Sequence, residues 1–128
     1  MKKLMHRQLI IYGALSAFIS VALGAFAAHG LKNSLREYEL AIWQTAVDYQ
    51  MAHSLGLILI GLLANSFAIN LHKPGYLMLL GILLFSGSLY ALSLSGIKAL
   101  GMITPLGGSC FLLAWLWLAV AIYRAPAR

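Results

Sequence analysis

Four long apolar runs divide the sequence, and each is long enough to cross a lipid bilayer as a helix. Mostly apolar residues occupy positions 9–28, 46–69, 76–95 and 105–123. A stretch of about 20 such residues, rising about 1.5 Å per residue, spans the hydrocarbon layer of a membrane. The pattern predicts an all-α fold: an integral membrane four-helix bundle that forms one four-span domain over residues 1–128.

The polar connection between the first two runs predicts a short amphipathic helix at the membrane surface. Ser34 and Glu37 fit the S-x-x-E capping box, which places a helix start near Leu35. One face of this segment is apolar and consists of Leu31, Leu35, Tyr38 and Ile42, while Lys32, Arg36 and Glu39 lie elsewhere. Since no glycine or proline occurs between positions 35 and 51, we expect this segment to run into the second span with a bend rather than a loop.

The other ends of the runs carry local signals. Pro74 and Gly75 predict a turn between the second and third spans, and Thr104 before Pro105 predicts the N-cap of the fourth. Small residues repeat every four positions in two places and predict that helix backbones approach closely there. The first set is Ser16, Ser20, Gly24 and Ala28. The second set is Gly87, Ala91 and Ser95, and its predicted contact is either internal or intermolecular.

The first run also has features of a secretory signal. A basic start, an apolar core and the small-residue triplet at positions 25–27 are typical of a cleaved leader. The run is longer than a usual signal core, and a discarded peptide would not need a packing stripe. We therefore expect a retained first span.

Composition and charge agree with a membrane protein and indicate its orientation. Hydrophobic residues make up 62% of the chain and charged residues 9%, which excludes the soluble class. The net charge of +6 comes from lysines and arginines that mostly flank the apolar runs. We therefore expect these residues to contact lipid headgroups, and we expect no nucleic-acid role. Both termini are expected on the cytoplasmic side of the membrane, because the positive residues on their side outnumber those on the other side. The two sets are Lys2, Lys3, Arg7, Lys73, Arg124 and Arg128 against Lys32, Arg36 and Lys98.

The densest polar stretch is the segment 43–53 at the mouth of the second span. At about 100° per residue, Gln50 and His53 share one face with Trp43 and Ala46, whereas Asp48 points away. Ionisable groups inside a membrane need a partner and are functional candidates by default.

A comparison of helix depths brings this stretch together with residues of the other three spans in the outer half of the bundle. We predict a bond or ion pair between Asp48 and His29, and bonds from Gln50 and His53 to serines or a tyrosine of the third span. Gly107 and Gly108 are expected opposite Tyr49 and Gln50. The candidate ligand site comprises His29, Asp48, Tyr49, Gln50, His53, Ser86, Ser88, Tyr90, Gly107 and Gly108.

Few chemistries fit these residues. Cys110 is the sole cysteine, so an intramolecular disulfide is excluded, and the histidines lie too far apart in depth for a metal or haem site. Asp48 cannot orient His53 in a catalytic triad, and the third and fourth spans lack ionisable groups for a proton path. We expect no catalytic residues and no cofactor.

Two functions then compete. The first is a non-enzymatic accessory or scaffold component, which associates with a membrane-protein partner or with further copies of the chain. The second is a small-molecule, lipid or ion binding or transport protein that uses the polar layer. A third interpretation is an enzyme that acts on a membrane lipid.

Four stretches resemble a known family, the small bacterial inner-membrane proteins of the YgdD type, which are related to eukaryotic transmembrane protein 256. The resemblance is carried by residues 24–30, by Trp43 to Thr45 with Tyr49, Gln50 and His53, by residues 84–90, and by residues 104–108 leading to Trp115. Ala27 stands where the family pattern has glycine. The resemblance implies a four-span inner-membrane protein with a cytoplasmic C-terminus, and it brings no established activity, substrate or cofactor.

Overall fold

The computed structural model describes residues 2–127, with side chains from His6 onward, and this part of the chain is almost entirely helical. Three residues of the charge comparison above are affected by these limits: the side chains of Lys2 and Lys3, and the whole of Arg128, lie outside the described part of the chain. Within the described residues four helical spans are long and apolar enough to cross a membrane, which confirms the predicted fold class. They comprise α1 (Lys2–Phe26) with a π-helical turn (Ala27–Leu31); α2 (Glu37–Phe67); α3 (His72–Gly81), a second π-helical turn (Ile82–Ser86) and α4 (Gly87–Ser95); and a 3₁₀ helix (Lys98–Met102) before α5 (Thr104–Tyr123).

The spans pack as neighbours in chain order. α1 lies along α2, the third span (α3 to α4) packs on α2, and α5 packs mainly on α3 and the π turn that follows it. In the most apolar stretch of each span, 50% of the residues of the second and 39% of those of the third are buried, against 22% for the first and 17% for the fourth. The second and third spans therefore form the centre of the bundle, and the first and fourth flank it.

The small-residue stripe of α1 makes its contact with α2. Ser16 and Ser20 are buried, and Gly13 lies one turn earlier on the same face. A Cβ on Gly13 would stand 2.7 Å from the backbone oxygen of Ser54. The prediction is confirmed as far as Gly24 but is wrong for Ala28, which is exposed, while Ala27 is buried. The π turn after Phe26 places more residues in one turn and so changes which residue faces α2.

The second stripe lies on an exposed surface of the described structure. Gly87, Ala91 and Ser95 are exposed, and a Cβ on Gly87 would meet no atom within 4 Å. Of the two roles predicted for this stripe, the internal one is wrong. The intermolecular role stays a prediction.

The amphipathic segment forms the first turns of α2 and is continuous with the span, as the absence of glycine and proline indicated. The predicted capping box is not formed: α2 begins at Glu37, its N-cap is Arg36, and within the described residues no side chain caps it. Arg36 bonds instead to Glu39, with 2.7 Å between Nε and Oε1, and this bond raises the pKa of Arg36.

Two proline-containing ends differ from their predictions. Pro74 and Gly75 lie in the first turn of α3 rather than in a turn between spans, because the first helical positions do not need the backbone N–H that proline lacks. The chain reverses earlier, at Ala68, which adopts the left-handed conformation (φ 54°). Thr104 is the first residue of α5 and not its N-cap, which is Ile103.

Candidate functional site

One face of α2 organises the polar layer. Trp43, Ala46, Gln50, His53 and Leu57 are each at most 7% exposed, as the helical periodicity predicted. The rest of the layer is arranged around the amide of Gln50, which lies between α1 and the third span.

Gln50 joins three helices. Its Nε2 donates to the backbone oxygen of Ser16 (3.0 Å) and reaches the Ser16 hydroxyl (3.3 Å), while its Oε1 accepts from the hydroxyl of Tyr90 (2.6 Å). The predicted bond between Gln50 and the third span is confirmed for Tyr90. Sequence reasoning assigned Ser16 to packing alone and missed its hydrogen bonds.

The neighbouring serines complete the layer by bonding to side-chain or backbone groups of other helices. Ser54 bonds to the Ser16 hydroxyl (2.7 Å), and Ser20 donates to the backbone oxygen of Val47 (2.9 Å). From the third span, Ser86 donates to Ala46 O (2.8 Å) and Ser93 to Glu39 O (2.7 Å). Among the described residues, every fully enclosed side-chain nitrogen or oxygen has a partner.

His53 does not bond to Ser86, Ser88 or Tyr90, so that prediction was wrong. Its Nδ1 lies 2.7 Å from the backbone oxygen of Tyr49 on its own helix. Its ring stacks on Phe111 of α5, with centroids 3.5 Å apart and planes 11° apart. The position of α5 therefore determines the surroundings of His53, and the periodicity of α2 alone does not show where α5 lies.

Ser88 faces α5 rather than α2. Its hydroxyl donates to the backbone oxygen of Phe85 (3.0 Å) and lies 2.6 Å from the hydroxyl of Thr104. Thr104, expected to cap α5, thus ties α5 to the third span.

His29 and Asp48 are not partners. Asp48 accepts from the amide of Gln44 one turn earlier on α2 (2.8 Å), and all three residues are exposed. No ion pair joins His29 to Asp48 in the part of the chain that the structure describes. The π turn that carries His29 gives this residue an exposed position.

The two glycines of α5 have different surroundings. Gly107 packs against the backbone of Phe85, and a Cβ there would stand 2.3 Å from the Phe85 nitrogen, whereas a Cβ on Gly108 would stand 3.9 Å from the Phe85 ring. The two do not face Gln50 as predicted. Tyr49 meets the same Phe85 ring, at 4.6 Å between centroids, so the predicted depth is close although the partner differs.

An open groove of about 380 Å³ runs between α1 and the third span. Its walls are mainly apolar, and Gln50, Ser16, Ser86 and Tyr90 contribute its polar groups. Since the amide of Gln50 and the hydroxyls of Ser86 and Tyr90 already have protein partners, the groove offers few free polar atoms to a ligand. Within residues 2–127, no group of three or more His, Cys, Asp and Glu side chains is arranged to hold a metal ion.

The known proteins that this chain resembles in sequence are themselves named membrane proteins. A family profile described as "Protein of unknown function (DUF423)" matches residues 23–108. The chain is 47% identical over 115 residues to UPF0382 membrane protein SH2409 of Staphylococcus haemolyticus, covering 90% of this chain and 94% of the relative. It is 46% identical over 117 residues to UPF0382 membrane protein YwdK of Bacillus subtilis, covering 90% and 95%. No solved structure matches the chain significantly.

Proposed function

Since the chain belongs to the DUF423 family of uncharacterised membrane proteins, we propose that it acts in the bacterial inner (plasma) membrane as a non-enzymatic accessory or scaffold component. In this role it binds another membrane protein through the faces of its flanking spans. The observation that carries the proposal is the small buried share of the fourth span, 17%, in a protein whose central polar layer is internally bonded.

The polar layer supports a structural role because its groups bond to one another. In membranes, side-chain hydrogen bonds between helices hold a bundle together at about 0.6 kcal/mol each. Gln50, Ser54 and Ser86 make such bonds. A layer of this kind fixes the relative positions of the helices and so gives the outer faces a defined shape.

The face of α5 supports an association role. Large apolar side chains of α5 are 41% to 74% exposed, namely Leu106, Leu112, Leu113, Leu116 and Val120. Lipid tails are as apolar as these side chains, so association within a membrane depends on shape and packing. A helix with most of its surface free provides such a shape.

Photocrosslinking tests the accessory role. A photoreactive amino acid in place of Leu113 on α5 is expected to give a discrete crosslinked protein in intact cells, because this side chain is 56% exposed on the proposed face. The matched control is the same amino acid in place of Leu59 on α2, which is 50% exposed and should give no such product. Lipid adducts alone at both positions would refute the accessory role. A product of twice the chain mass would also refute it, because it would show that the α5 face binds a second copy of this chain and not another protein.

The orientation is part of the proposal and has its own test. Arg7, Lys73 and Arg124 lie at the end of the bundle that carries the termini, and the positive-inside rule places that end in the cytoplasm. We expect a C-terminal green fluorescent protein fusion to fluoresce and a C-terminal alkaline phosphatase fusion to be inactive. The reverse should hold for fusions made directly after Lys98, and the same activity pattern at both positions would contradict the orientation.

A further inference from the structure

One ring nitrogen of His53 has no hydrogen-bond partner among the described residues. Nδ1 of His53 lies 2.7 Å from the backbone oxygen of Tyr49, and since a carbonyl oxygen only accepts, Nδ1 carries the hydrogen. The other ring nitrogen of the neutral imidazole, Nε2, is then a lone-pair acceptor.

Nε2 of His53 is open to the surroundings of the protein. No residue in the described part of the chain bonds to it. His53 as a whole residue is 7% exposed, and every fully enclosed side-chain nitrogen or oxygen among the described residues has a partner. Nε2 therefore belongs to the small exposed edge of an otherwise buried ring.

Two further aromatic side chains with polar groups lie beside the His53 ring, where α2 meets α5. Tyr49 is 45% exposed and its ring centroid is 6.0 Å from that of His53, while Trp115 is 38% exposed and 5.7 Å away. Neither the hydroxyl of Tyr49 nor the indole N–H of Trp115 has a hydrogen-bond partner among the described residues. This seam thus differs from the polar layer around Gln50.

A hydrogen-bond acceptor that faces hydrocarbon favours a ligand that carries a hydrogen-bond donor. An unpaired polar group in a bilayer is strongly unfavourable, so a molecule that supplies the missing partner gains affinity there. Nε2 needs a donor, Trp115 can donate to a second oxygen, and the half-exposed ring of Tyr49 can stack on a flat group. A hydroxylated headgroup that arrives from the lipid side meets these requirements.

We propose that the seam formed by Tyr49, His53 and Trp115 binds the hydroxyl headgroup of a membrane-soluble molecule, whose O–H donates to Nε2 of His53. The hydroxyl can be the phenol of a hydroquinone or the alcohol of a long-chain lipid. Binding here goes beyond the accessory role and does not depend on it, because the seam belongs to a single chain.

The test uses the full-length protein in phosphatidylcholine nanodiscs, with ¹⁵N-labelled histidine. The probes are decylhydroquinone, the same molecule with both hydroxyls methylated, and 1-decanol. Tryptophan fluorescence reports affinity, and the His53 Nε2 resonance reports the hydrogen bond. We expect the hydroquinone to bind at least about tenfold more tightly than its dimethyl ether, the effect of about one hydrogen bond, and to shift the Nε2 resonance upfield.

His53→Phe is the matched variant, because a phenyl ring keeps the stack on Phe111 and removes the acceptor. It should bind the hydroquinone and its ether equally, while His29→Phe, at an exposed histidine, should keep the tenfold preference. The ligand comparison in the unaltered protein stands even if His53→Phe folds poorly. If 1-decanol binds more tightly than both aromatic probes and this preference requires His53, the ligand is the alcohol of a long-chain lipid rather than a hydroquinone. Equal binding of all three probes without a shift of the Nε2 resonance overturns the proposal.

Discussion

Replacing Gly107 with alanine is expected to destabilise the protein by about 3 kcal/mol or more, the upper part of the range for overpacked sites. The new Cβ would stand 2.3 Å from the backbone nitrogen of Phe85 and 2.7 Å from its Cα. These are main-chain atoms inside the third span, so no side-chain rotation can relieve the clash. The variant must separate α5 from the third span, and α5 has little other contact with the bundle.

The neighbouring glycine supplies the control for this experiment. A Cβ on Gly108 would lie 3.9 Å from the Phe85 ring, an ordinary contact, and alanine is the better helix former. Gly108→Ala should be as stable as the original protein or slightly more so. Unfolding of both variants in mixed micelles, followed by circular dichroism, measures the difference, and equal stability of the two variants would mean that α5 does not cross the third span at Gly107.

Gln50→Leu is expected to destabilise the protein by about 2 kcal/mol, the second largest effect. The substitution removes the bonds from Nε2 to Ser16 and the bond that Oε1 accepts from Tyr90. Interhelical bonds in membranes contribute about 0.6 kcal/mol on average and at most about 1.7 kcal/mol. The loss should exceed a single bond because the Tyr90 hydroxyl is left without its acceptor.

A double-mutant cycle isolates the bond between Gln50 and Tyr90. Tyr90→Phe alone should cost about 0.6 kcal/mol, and combined with Gln50→Leu it should add almost nothing. Gln44→Leu, at an exposed amide of the same helix, should change stability by less than about 0.5 kcal/mol. Strict additivity of the Gln50 and Tyr90 variants in the unfolding assay would show that the two side chains do not interact.

The features predicted correctly from the sequence are those that depend on local periodicity. The four spans follow from the lengths of apolar runs, and the buried face from Trp43 to Leu57 follows from the helical repeat. The bond between Gln50 and Tyr90 was within reach because both residues lie at one depth, and a buried amide needs a partner.

The features that were missed depend on how helices rotate about their axes. The π turns at Ala27–Leu31 and Ile82–Ser86 change the facing of residues near them, and nothing in the local sequence marks them. The facing of His29 and of Ala28 was wrong for this reason. His53 was assigned to the third span because the position of α5, which brings Phe111 onto its ring, is a tertiary property.

The neighbour order of the helices has a consequence for biogenesis. Each span packs mainly on one made before it: the second on the first, the third on the second, and the fourth on the third. Ser20, Trp43 and Ser54 find their partners within the first hairpin alone. A chain released span by span into the bilayer can thus assemble during synthesis, with α5 as the last and most separable element.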